Sequence, residues 1–115
     1  MRIGELSART GVSQRLLRYY EEQRLLTAAR DANGYRLYDE NAVTTVRQIR
    51  ALLAAGLSTC VIREVLPCAR GEKPELDLCP SLVRTLREQL DALDERIDDL
   101  RQTRGALAAY VPTAG

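Results

Sequence analysis

Apolar residues recur at helical spacing in a series of short runs and then in one long run, with helix-stopping residues between them. The first run, IGELSART, offers Ile3 and Leu6 to a core and ends at Gly11. Ser13 is suited to cap a second helix, because its hydroxyl can accept an amide of the first turn; Leu16 and Leu17 of that helix face inward. Two short helices joined across a glycine form a helix-turn-helix pattern. In such a pair the N-terminal residues of the second helix enter the major groove, and here they are Ser13, Gln14, Arg15 and Arg18. Arginine can donate two hydrogen bonds to guanine O6 and N7, glutamine can pair twice with adenine, and a capped helix start favours phosphate. A helical hairpin with a solvated basic face satisfies the same pattern.

The chain continues TAARDANGYRLYDE, in which Asn33-Gly34 predicts a hairpin closed by a type I′ turn with positive φ at both central positions. Its flanks form a two-stranded wing. Tyr35 and Leu37 share one face and Arg36 and Tyr38 the other, so Arg36 can reach a phosphate while some of the tyrosine surface packs inward. A surface hairpin without a ligand is the plainer alternative. Asp39 or Asn41 then caps a helix that buries Val43, Val46, Ile49 and Leu53 and turns Arg47 and Arg50 outward, as a second phosphate surface or as solvated side chains. Gly56 closes it. Ser58 caps a shorter helix with Val61, Ile62, Val65 and Leu66 inside, and Pro67 stops that one.

After a polar connector containing Pro74, the long run begins. Val83, Leu86, Leu90, Leu93, Ile97, Leu100 and Leu107 follow steps of three and four broken only at Arg104, which is a coiled-coil seam, with charged residues between. One such helix cannot bury its seam unaided, unless it packs back on its own domain.

Composition narrows the picture. A chain of 115 residues suits one small domain and an appendage, and is short for an enzyme with a deep cleft. The net charge of +1 carries no argument for nucleic acid, but its distribution does: residues 1–50 hold nine Arg against six acids, and residues 51–115 hold eight basic against ten acidic side chains. The positive half carries the helix-turn-helix. With no secretory signal pattern and no apolar run near 18 residues, the expected location is the cytoplasm, away from membranes. In a reducing cytosol Cys60, Cys68 and Cys79 are left with packing, metal binding or redox sensing, and the absence of His excludes a His-based catalytic triad or zinc ligand within one chain.

The opening IGELSARTGVS, the R-Y-Y-E-E of Arg18 to Glu22 and the N-G-Y-R-x-Y of Asn33 to Tyr38, in that order, resemble the MerR family of transcriptional regulators. The resemblance covers essentially the whole chain. It implies a mainly α-helical, winged helix-turn-helix fold with a two-stranded wing and a long C-terminal dimerisation helix. By position, Arg15, Arg18 and Tyr20 resemble the recognition-helix contacts of that family, and Tyr35, Arg36 and Tyr38 those of its wing. The implied partners are double-stranded promoter DNA with a pseudo-palindromic operator, a second copy of the chain in an antiparallel coil, and RNA polymerase; no cofactor is implied. The expected organisation is a DNA-binding domain over 1–70, a connector over 71–79, a dimerisation helix over 80–111 and a tail over 112–115.

The signal sensed is less legible. Metal-sensing, iron-sulfur and drug-binding branches of the family carry extra segments beyond the dimerisation helix, whereas this sequence continues only as YVPTAG, which weakens all three. Pro80 suits a first helical position, making Cys79 an N-cap whose thiolate the helix start favours. Cys68 follows the Pro67 stop, and the two cysteines could meet across the connector. Small apolar fillers, a thiol switch and a soft-metal site all remain open for them, while Cys60 suits packing. Rival functions are a dithiol redox enzyme, opposed by the lack of C-x-x-C and of any βαβ pattern, and a coiled-coil adaptor that binds protein.

Overall fold

The computed structural model describes residues 1–71 and 75–113. Glu72, Lys73 and Pro74 of the expected connector, and Ala114 and Gly115 of the tail, lie outside the described residues. The chain divides into two units, Met1–Cys79 and Pro80–Gly115.

In the first unit, α1 (Ile3–Thr10) ends because Gly11 adopts φ +72, from which its amide reaches Ser7 O at 2.9 Å. Ser7 Oγ donates to Val12 O at 2.6 Å and Thr10 Oγ1 to Leu6 O at 2.8 Å, so the reversal is tied from both sides. Helix α2 (Gln14–Glu22) starts where Ser13, extended, accepts Leu16 N on its hydroxyl at 3.1 Å, as the sequence predicts. Its end is less ordinary. Arg24 takes the left-handed conformation at φ +60, which costs a non-glycine residue about 1–2 kcal/mol. Leu25 N donates to Tyr20 O and Arg24 N to Glu21 O, closing a Schellman turn between two buried residues, Tyr20 and Leu25. From the fourth helix, Arg63 places Nε and Nη2 on Gln23 O at 2.8 and 2.6 Å.

The wing consists of β1 (Ala29–Arg30) and β2 (Arg36–Leu37), antiparallel with Ala29 opposite Leu37 and Arg30 opposite Arg36. Its turn differs from the expected type I′. Only Gly34 has positive φ, at +82, and Asn33 does not. Gly34 N donates to Asp31 O, Asp31 N to Tyr35 O, and Asp31 Oδ1 accepts both Asn33 N at 2.9 Å and Tyr35 N at 3.0 Å. This is a three-residue loop with its left-handed residue last, selected by the aspartate side chain, which imitates a backbone acceptor.

Helix α3 (Asn41–Ala54) is entered through Asp39, whose Oδ1 accepts Ala42 N at 3.1 Å. It buries Ala42, Val43, Val46, Ile49 and Leu52. The expected Leu53 is only half-buried, because the step inward from Ile49 is three residues at this point. Gly56, at φ +85, closes the helix with its amide on Leu53 O. Ser58 caps α4 (Thr59–Val65), accepting Val61 N at 3.3 Å; Val61, Ile62 and Val65 are buried, and Pro67 lies in a short 3₁₀ turn over Leu66–Cys68. Helix α1 packs on α2 and α3, and α3 on α4, around Leu6, Val12, Leu17, Tyr20, Val46, Ile49 and Ile62.

Secondary structure reaches into the expected connector. Strands β3 (Ala69–Arg70) and β4 (Glu75–Leu76) pair antiparallel, Asp77 N donates to Cys68 O at 3.2 Å, and buried Gln48 of α3 donates to Gly71 O at 3.1 Å. Two-residue strands carry no alternation that a sequence pattern could reveal.

The second unit is α5 (Pro80–Ala108), 29 residues or about 44 Å long, ending three residues before the expected boundary. None of its residues is fully buried. The seam residues Val83, Leu90, Leu93, Ile97, Leu100 and Leu107 are exposed, Leu100 and Leu107 by 68% and 64%. Among the described residues no helix is long and apolar enough to cross a membrane.

Candidate nucleic-acid interface

Helix α2 is divided by its own period. Leu17 and Tyr20, three residues apart, point to the core; Gln14, Arg15, Arg18 and Tyr19 point outward, with Ser13 at the exposed N-cap. The residues expected to enter a groove therefore share one exposed face. Arg18 Nη2 lies 3.5 Å from Gln14 Oε1 one turn away, which links these two side chains. Arg15, Leu16, Ser13 and Tyr19 line an open hollow beside them.

Two tyrosines named by the resemblance are not available for direct contact. Tyr20 is 1% exposed and Tyr38 2%. Burial raises the Tyr20 hydroxyl above its ordinary pKa, against a smaller opposing effect of Arg50, and burial followed by Glu21 does the same for Tyr38, so both are held neutral. Tyr20 is buried beneath a hollow lined by Leu16, Arg50, Leu53 and Ala54, and Tyr38 is fixed by its amide on Met1 O at 2.7 Å and its hydroxyl near Glu21 Oε2 at 3.5 Å. The outward tyrosines are Tyr19, 43% exposed, and Tyr35, 61% exposed.

The wing brings further cations. A cleft of about 220 Å³ lies between α2, the start of α1 and the wing tip, lined by Arg2, Ile3, Arg18, Arg30, Gly34, Tyr35 and Arg36. Arg2 stacks on the Tyr35 ring at 4.9 Å and pairs with Asp31 at 2.9 Å. Burial alone would raise the Asp31 carboxyl, but the Tyr35 and Asn33 amides and Arg2 outweigh it and hold its pKa below the ordinary value. Arg36, which the sequence places within reach of a phosphate, has its Nε 2.7 Å from Glu21 Oε2. Arg30 Nη1 donates to Gly34 O at 3.0 Å. Two carboxylates thus face four guanidinium groups, and Arg18 and Arg30 have no carboxylate partner among the described residues. Sequence reasoning missed Arg2 and Arg30. The expected two-residue turn would set Asp31 opposite Arg36; only the three-residue loop puts Arg30 there.

Cys68 is half-buried and Cys79 exposed; Cys60, also exposed, lies in α4. Among the described residues no three His, Cys, Asp or Glu side chains gather at one place.

A glycine-turned helix pair with a hairpin set beside the second helix, cationic where the two meet, defines a winged helix-turn-helix of the DNA-binding regulatory class. Residues 1–68 match the family described as MerR HTH family regulatory protein, and residues 43–110 the one described as MerR, DNA binding. The chain belongs to the MerR family. It is 36% identical over 107 residues to nodulation protein NolA of Bradyrhizobium sp. strain NC92, covering 92% of this chain and 41% of the relative, so it spans well under half of that protein's length. It is 33% identical over 111 residues to the HTH-type transcriptional regulator HmrR of Sinorhizobium medicae strain WSM419, covering 96% of this chain and 76% of that one. The crystal structure of the transcription regulator PbrR691 from Ralstonia metallidurans CH34 in complex with lead(II) is similar over 99% of this chain and 91% of that one, with a TM-score of 0.77 at 25% identity.

Proposed function

We propose that the chain is a cytoplasmic, non-enzymatic transcriptional regulator that binds a pseudo-palindromic promoter operator as a homodimer and distorts the duplex so that RNA polymerase can use it. The observation that carries this reading is the single cationic surface formed by the outward face of α2 and the wing. One recognition helix per chain reads half a site, and the exposed seam of α5 supports pairing of two chains. Distorting the duplex costs on the order of 1–6 kcal/mol, a sum that phosphate contacts from two wings and two helices can offset.

The base-reading residues on this account are Gln14, Arg15 and Arg18, with Ser13 at a phosphate and Tyr35 and Arg36 on the wing. The test begins with selection of duplexes from a random pool by the full chain. Arg18→Ala should then cost about 1–3 kcal/mol on the selected duplex and relax preference at one base pair. An equal loss on every sequence would reassign Arg18 to the backbone, and failure to enrich any sequence would overturn the regulator reading.

For the signal, thiol chemistry at Cys68 and Cys79 is the favoured reading. The bond from Asp77 N to Cys68 O draws the chain just before Cys79 alongside Cys68, in the segment that leads into α5. PbrR691 was crystallised with lead(II); among the described residues of one chain here no three His, Cys, Asp or Glu side chains gather at one place. Mild oxidant should change run-off transcription more than DNA affinity, and Cys68→Ser and Cys79→Ser should each abolish the response while Cys60→Ser keeps it. A normal response from the double variant would remove the cysteines from signalling.

A further inference from the structure

The pair formed by Glu21 and Arg36 joins the last turn of the recognition helix to the second strand of the wing across 15 residues of sequence. The engaged atom is informative. Arg36 bonds Glu21 through Nε, on the side of the guanidinium, and its two Nη groups make no hydrogen bond among the described residues. Those two groups form the end of the side chain, and Arg36 lines the same cleft as Arg2, Arg18 and Arg30. In the three neighbours an Nη atom is already committed, to Asp31, Gln14 Oε1 and Gly34 O respectively.

The accepting oxygen is itself fixed. Glu21 Oε2 also faces the Tyr38 hydroxyl at 3.5 Å, and Tyr38 is buried and cannot swing aside. The Glu21 side chain is 19% exposed and that of Arg36 35%, so the pair is shielded more than a surface ion pair and can hold one geometry. An arginine turned in this way presents two parallel donors, which suits the oxygens of one phosphate group.

We propose that Glu21 is a positioning residue for DNA binding: it turns the Arg36 guanidinium so that both Nη groups face the cleft, and thereby makes one wing phosphate contact depend on the recognition helix. Glu21 itself touches no DNA. The inference rests on the regulator reading above and adds a residue with a carboxylate, which the charge of DNA would otherwise disfavour near the interface.

The measurement is equilibrium binding of the full chain to its selected duplex over a series of salt concentrations, for wild type, Glu21→Ala, Arg36→Ala and the double variant. Loss of one phosphate contact lowers the slope of log K against log salt by about 1. Glu21→Ala should show that fall and weaken binding about tenfold at low salt, as Arg36→Ala does, and the double variant should be no weaker than Arg36→Ala. A purely structural role lowers affinity at every salt concentration without changing the slope, and that result would overturn the proposal. So would additive losses, or tighter binding with a steeper slope, which would mean that Glu21 withholds Arg36. Should Glu21→Ala fail to fold by circular dichroism, Glu21→Met, which keeps the length of the side chain and removes the acceptor, carries the same criteria. If wild type selects no duplex, the regulator reading fails; if wild type binds and the slopes do not change, only the role of Glu21 does.

Discussion

In the homodimer proposed above, Leu93→Glu is expected to turn dimer into monomer. Leu93 lies next to the midpoint of α5, so in an antiparallel pair it would sit near the two-fold axis and face its own copy. The substitution would place two carboxylates against each other in a seam that otherwise holds leucine, isoleucine and valine. A buried charge without a partner costs about 3–5 kcal/mol, which raises the dimer dissociation constant by roughly two orders of magnitude or more. Because Met1–Cys79 is a unit of its own, the DNA-binding domain should stay folded while α5, with nothing to cover its seam, loses helix. Sedimentation velocity reads the mass and circular dichroism the helix content. A dimer of unchanged strength would remove the seam from the interface.

Tyr20→Ala is expected to destabilise the first unit by about 3–5 kcal/mol, the range for removing a large aromatic ring from a core. That is a large share of the 5–15 kcal/mol that holds a typical domain together. The informative comparison is Tyr20→Phe, which keeps the buried ring and removes only the hydroxyl. It should melt within a few degrees of wild type and bind the selected duplex equally well. If Tyr20→Phe folded normally and bound DNA much more weakly, Tyr20 would return to the interface despite its burial.

These two residues show what the sequence does and does not disclose. The seam of α5 is periodic, and periodicity is a local property that needs no knowledge of the fold. So is the inward direction of Tyr20, three positions after Leu17, and it was resemblance to a family motif that moved it to the surface. The caps at Ser13 and Ser58 and the closures at Gly11 and Gly56 were legible for the same reason, since each acts within four residues. The Asp31 turn is equally local, but the Asn-Gly pair beside it gave a stronger and misleading signal. What sequence could not show is the pairing of Glu21 with Arg36, or the gathering of Arg2 and Arg30 at the cleft, because each depends on the wing folding back beside α2.

The two hydrogen bonds from Arg63 to Gln23 O bear on how quickly wrong sequences are released. A short helix ordinarily frays at its last carbonyls, and a frayed recognition helix could bend to accommodate a poor site at little cost. Here a side chain from α4 grips the C-terminal end while Ser13 holds the N-terminal end, so α2 meets DNA already ordered. Such a helix cannot remould itself around a mismatch. If α2 reads DNA as proposed, discrimination between sites falls on residence time rather than on the rate of encounter, since every site is met by the same rigid surface and only the correct one retains it.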